Sequence, residues 1–134
     1  MPGFVDPSKD QLKAFFGSDE AGPIWMLNLI RYRKKAKYED GAAATGAQAY
    51  DAYLKAAGEF LAAVGGKMIW SGEPRHIVIG PDDEQWDKCF VIEYPSVAAF
   101  GAMIKNPGYQ AIVHHRTAAV KESRLIHLRP SGLK

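Results

Sequence analysis

What this chain lacks narrows its function more than any motif it contains. Its 134 residues hold one cysteine, Cys89, which excludes an internal disulfide and fits a reducing compartment. No apolar run approaches the roughly 18 residues that a membrane span needs. The opening MPGFVDPSKD lacks the charged-then-apolar layout of a secretory signal, so a soluble cytoplasmic protein without membrane contact is the expectation. Seventeen basic against 15 acidic residues leave a net charge of +2, too small to argue for nucleic acid. There is no phosphate-cradling glycine loop, no metal-ligand spacing and no catalytic signature, so neither a metal nor a cofactor is implied.

What is present is one pattern read twice. An apolar run at Ile24 to Ile30 leads to an amphipathic stretch at Tyr50 to Val64 and a second run at Lys67 to Ile79. Lys88 to Tyr94, Ser96 to Lys121 and Arg124 to Leu128 then repeat strand, helix, strand. The βαββαβ order predicts an α+β fold with one antiparallel sheet and helices on one face. The length suits a single domain over residues 1–134, burying about 68% of its unfolded surface. Residues 1–22 form an N-terminal helix and turn, 23–129 the core, and 130–134 a frayed tail.

Punctuation supports this division. Asp6-Pro7 reads as N-cap and first residue of the leading helix, with Leu12, Phe15 and Phe16 on its apolar side. Thr45 and Gln48 have the spacing of a capping box, and Gly65-Gly66 ends the helix that follows. The segment from Arg31 to Gly46 reads as mostly loop. The second strand is expected to bend near Gly72 to Pro74 and to resume at His76 to Ile79 before a turn into Lys88. Ser96 starts the second helix, and Asn106-Pro107 interrupts it by capping a new turn.

The run Gly22-Pro23-Ile24-Trp25-Met26-Leu27-Asn28-Leu29-Ile30 resembles the first strand of the domain of unknown function 1330 family. Gly65-Gly66-Lys67, Trp86-Asp87-Lys88 with Phe90 to Ser96, and Asn106-Pro107-Gly108-Tyr109-Gln110 leading to Arg116 are similar too. The resemblance runs from about Pro23 to Leu128. It implies the dimeric α/β-barrel superfamily, in which two ferredoxin-like sheets pack face to face. The leading helix from Phe4 to Phe16 and the stretch from Arg31 to Gly46 look additional to that core.

Candidate site residues are those whose polarity conflicts with their surroundings. Asn28 alternates with Met26 and Ile30 on a strand apolar on both faces, so it must be hydrogen-bonded there. It either ties strand to loop or lines a pocket. Arg116 falls among Tyr109, Ile112, Val113 and Val120, and a charge there needs a partner. Glu93 is the first candidate acid and Glu122 a local alternative; the sharper reading has Arg116 clamping a carboxylate or enolate. His127 alternates with Leu125 and Arg129, which directs it to the open sheet face. His114 and His115, adjacent on a helix, point about 100° apart and do not share a metal. Cys89 reads as a small buried hydrophobe. The basic run Arg31 to Tyr38 is offset by Glu39-Asp40 and reads as a solvated loop, not a nucleic-acid surface.

These residues make Arg116, Asn28, Glu93 and His127 the candidate catalytic groups, with Trp70, Tyr109 and Tyr32 as ligand contacts. The expected pocket lies between the sheet and the helix after Pro107. The superfamily resemblance implies a cofactor-independent enzyme acting on a small carboxylate or phenol. The alternatives are a non-catalytic binder of such a molecule, or a dimeric interaction module with no ligand. The apolar sheet face, uncovered in one copy, predicts a homodimer through the sheets.

Overall fold

A computed structural model describes residues 3–18 and 20–131. Along the chain lie α1 (Lys9–Phe16), β1 (Ile24–Tyr32), α2 (Gly46–Ala63), β2 (Lys67–Gly72), β3 (Lys88–Tyr94), α3 (Val97–Lys105), α4 (Pro107–Ile112), α5 (His114–Ala119) and β4 (Val120–Leu128). The strands form one antiparallel sheet in the order β2-β3-β1-β4. This is the α+β arrangement that the repeated pattern predicts, with the most apolar run, β1, placed centrally.

Strand parity sorts the side chains. Opposite one another on one face lie Ile24 and Tyr94, Met26 with Ile92 and His127, Asn28 with Phe90 and Leu125, and Ile30 with Ser123. The helices cover this face. Their core has two centres, one around Ile24, Met26, Tyr94, Phe100 and Tyr109, the other around Ile30, Tyr50, Phe90 and Val120. Each fully buried aromatic or aliphatic side chain there stabilises the fold by about 1.5–3 kcal/mol. The other face carries Trp25, Leu27 and Leu29 beside Val91 and Ile126. No described helix packs on it.

Local signals set the helix ends. Thr45 accepts from the Gln48 backbone N–H at 3.0 Å, and the Gln48 side chain accepts from the Thr45 N–H at 2.9 Å, completing the capping box. Gly65, at φ +78°, takes the left-handed conformation that ends α2. Ser96 caps α3, and Asn106 caps α4 by accepting from Gly108 N at 2.8 Å, with Pro107 first in the helix.

Several expectations need correction. The first helix is capped by Ser8, not Asp6: a complete capping box with Gln11 outcompetes the Asp-Pro signal. The second strand does not resume at His76 to Ile79. On the edge away from β1, β3 pairs with Lys67–Gly72 and with nothing beyond it among the described residues, Pro74 offers no N–H, and Val78 and Ile79 are 88% and 96% exposed. The last strand begins at Val120 rather than Arg124, because α5 stops at Ala119 and the chain pairs at once with Tyr32. The 33–45 segment is loop apart from a bridge between Lys35 and Thr45, and it is fastened to α5 by Arg33 N–Ala119 O (2.8 Å) and Lys37 N–Ala118 O (2.9 Å). Of the expected tail, residues 132–134 lie outside the described residues.

Candidate functional site

The helices do not close fully onto the sheet. Between the sheet's covered face and α2–α5 lies a cavity of about 920 Å³, within the range of small-molecule sites. Met26, Asn28, Phe90 and Ile92 form its floor, Tyr50, Tyr53 and Leu54 of α2 its roof, and Tyr109, Val113 and Arg116 one wall. Ser123, Leu125 and His127 of β4 continue the floor.

The segment before β1 supplies a further wall, from Phe4 to Phe15. It is tied to β4 because Phe4 O accepts from Ser123 N at 2.6 Å and from Ser123 Oγ at 2.9 Å. Arg116 donates to Val5 O at 2.8 Å and to Ser123 Oγ at 3.4 Å, and stands 3.8 Å from the Asp6 carboxylate. α1 has no buried residue of its own and docks by its phenylalanines: Phe15 meets Phe100 and His127 edge-on, at 5.2 and 5.1 Å between ring centres.

The candidate residues therefore separate. Asn28, Tyr109, Arg116 and His127 line the cavity; Glu93, Trp70 and Tyr32 do not. Glu93 is on the opposite face, where it accepts from Trp25 Nε1 at 2.8 Å and lies 3.7 Å from Lys67 Nζ. It is not the partner of Arg116, and neither is Glu122, which pairs with Arg124 at 2.5 Å and is held below the usual carboxylate range first by that contact. The sheet's parity separates these acids from Arg116. Trp70 pairs with Val91 and stands half-exposed. A bulge between Met68, which pairs with Ile92 on the cavity face, and Trp70 turns the indole to the other side. Tyr32 lies beyond the cavity against Tyr50, and its hydroxyl is pushed up to about 12 by burial and then by Asp51, Asp87 and Glu73.

His127 also differs from expectation. Its register opposite Met26 turns it toward the helices rather than the open face. Its Nε2 is buried with no hydrogen-bond partner among the described residues. Asn28 donates to Met26 O at 3.1 Å, and its side-chain oxygen has no described partner. The Tyr53 and Tyr109 hydroxyls share a hydrogen bond of 2.7 Å, and burial, followed by Tyr109, raises the Tyr53 phenol far above its ordinary value. Burial alone also raises the half-buried Cys89 thiol, which keeps it protonated and unreactive near neutral pH.

Sequence reasoning missed the wall formed by Val5, Asp6 and Phe15, whose position depends on contacts more than 100 residues away, such as Arg116 to Val5. Ser123 was detectable as a polar residue in the parity of Leu125 and His127. Outside the cavity, the His114 and His115 rings stack at 4.1 Å instead of diverging, where the helix is interrupted at Val113. His115 Nδ1 bonds the Tyr38 hydroxyl at 2.7 Å and His114 Nδ1 the Ala111 carbonyl at 2.9 Å. No helix among the described residues is long and apolar enough to cross a membrane.

Comparison with known proteins supplies relatives but no chemistry. A family model described as domain of unknown function (DUF1330) matches residues 41–128, more than half the chain; the resemblance drawn from β1 lies before that match. The crystal structure of a protein of unknown function from Rhodopseudomonas palustris is 48% identical over 98% of this chain and 99% of that chain, with a TM-score of 0.93. A methylated form of that protein is 49% identical over 98% of both chains, with a TM-score of 0.95. More distant is a dabb family protein with a ferredoxin-like fold from Mesorhizobium loti, 18% identical over 83% of this chain and 99% of that chain, TM-score 0.53. A protein from Bacteroides fragilis described as dimeric, of unknown function and of ferredoxin-like fold, is 11% identical over 79% and 94% of the two chains, TM-score 0.51. No curated protein matches.

Proposed function

The chain belongs to the family described as domain of unknown function (DUF1330), and within it we propose that this protein binds a small organic molecule in the cavity between sheet and helices. The observation that carries this reading is the cavity itself, about 920 Å³ with mostly apolar walls and a few polar groups converging on it. Asn28 and Tyr109 are its polar contacts, with His127 at the α1 end.

The geometry favours binding over the cofactor-independent catalysis that the superfamily resemblance implies. Glu93 is across the sheet, the Arg116 guanidinium is engaged by Val5, Ser123 and Asp6, and Tyr53 is held protonated by burial. The groups left in the cavity wall that could carry a proton are His127 and Asp6, the latter beside Arg116. The test is a thermal-shift screen of phenols, ketones and carboxylates on the wild type and on Asn28→Leu. Compounds that raise the melting temperature of the wild type alone, with the variant folded by circular dichroism, support the site. Equal shifts in both proteins would put the ligand elsewhere.

The reading includes a homodimer formed through the open sheet faces. Leu27, Leu29 and Ile126 form an apolar surface there, with Ile126 44% exposed, and monomers rarely leave such a surface uncovered. The Bacteroides fragilis protein of the same fold is described as dimeric.

A further inference from the structure

We infer that the cavity selects an uncharged ligand, a phenol- or ketone-like molecule with a substantial apolar body, and that Arg116 is a positioning residue of the cavity wall rather than an anion clamp. The inference rests on the binding reading above and adds the chemical class of the ligand.

Charge around the cavity is the first support. The formally charged residues that line it are Asp6, Arg116 and Arg124. Arg116 faces Asp6 at 3.8 Å and donates to Val5 O at 2.8 Å. Arg124 pairs with Glu122 at 2.5 Å and Glu84 at 3.9 Å, and its guanidinium lies 5.2 Å from the ring centres of Phe4 and Trp86. Each cation thus has an acid beside it before any ligand arrives. A carboxylate entering this apolar space would lose its hydration without gaining a free counter-charge, a large cost for a buried ion.

The second support is the set of polar atoms left over. Asn28 keeps its amide oxygen as an acceptor and a second amide N–H as a donor, and His127 Nε2 has no partner among the described residues. In the Tyr53–Tyr109 pair, one hydroxyl donates to the other, so the accepting hydroxyl retains its own proton to donate. An acceptor and donors thus stand together between apolar walls, which matches a hydroxyl on a largely apolar body, able to donate and accept at once, and admits a neutral carbonyl. A carboxylate accepts only, as a carbonyl does, but it brings a charge that no free cation here offsets.

The experiment compares 4-hexylphenol with 4-hexylbenzoate at neutral pH by isothermal titration calorimetry. The two share an apolar tail, but the phenol is neutral, with a pKa near 10, and the benzoate, near 4, is ionised. We expect the phenol to bind at least about tenfold more tightly. In Asp6→Asn, which frees Arg116 from its acid at an exposed position, benzoate affinity should rise several-fold relative to phenol affinity. Equal or tighter benzoate binding by the wild type would overturn the inference while leaving the pocket in place. Binding of neither compound, nor of the neutral dye Nile red, would overturn the pocket reading and this inference with it.

Discussion

Arg116 donates a hydrogen bond to the Val5 carbonyl oxygen at 2.8 Å, joining residues 111 positions apart. Through this contact α5 holds the N-terminal segment in place as a wall of the cavity. The arginine's side chain is 17% exposed, whereas Asp6 is 72% exposed and largely screened.

Removing that cation should therefore cost less than breaking a buried ion pair. Arg116→Ala is expected to destabilise by about 1.5–3 kcal/mol, the range for a hydrogen bond to a charged group. Arg116→Met, which keeps the apolar stem, should lose less. In both variants the segment before β1 should become the first site of limited proteolysis. An unchanged denaturation midpoint and protease pattern would show that Arg116 does not hold the segment.

The two cavity tyrosines should be coupled. Tyr53→Phe and Tyr109→Phe each break the 2.7 Å hydroxyl contact, so each should cost about 1 kcal/mol. The double variant should cost less than the sum of the two, with a coupling of about 0.5–1.5 kcal/mol in a denaturation cycle. Strict additivity would mean that the hydroxyls act independently.

Assembly tests the open face. Wild-type protein should sediment as a dimer at micromolar concentration, through an interface of about 2,000 Å² or more. Ile126→Lys should sediment at the 14.7 kDa of one chain with its secondary structure retained. A wild type found only at that mass would remove the dimer.

His115 should make stability depend on pH. Burial first, and His114 second, hold its imidazole below the ordinary 6.5. The unfolded chain then takes up this proton at a higher pH than the folded one. Stability is full above 6.5 and is lost as pH falls from there toward the folded value. His115→Gln should flatten that slope in denaturation curves between about pH 7.5 and 5.5. Identical slopes in the two proteins would assign the effect elsewhere.

The order of strands and helices along the chain and the capping of α2, α3 and α4 were legible in the sequence, whereas the central place of β1 came with strand pairing. Order and capping follow from local chemistry: alternation in Ile24–Tyr32, a side chain that reaches its own helix start at Thr45, and a glycine that accepts positive φ at Gly65. The sequence also marked Asn28 and Arg116 as polar groups on otherwise apolar faces. Tertiary structure alone decided which of the marked residues meet. Parity within a strand is readable, but the face that helices cover depends on how strands pair. Glu93 and His127 accordingly lie on faces opposite to those expected, and a single bulge before Trp70 turns it out of the cavity. The wall from Phe4 to Phe15 depends on closing loops longer than 100 residues, through bonds such as Ser123 N to Phe4 O. No local periodicity records a contact of that kind, because its partners are chosen by the packing of the whole chain.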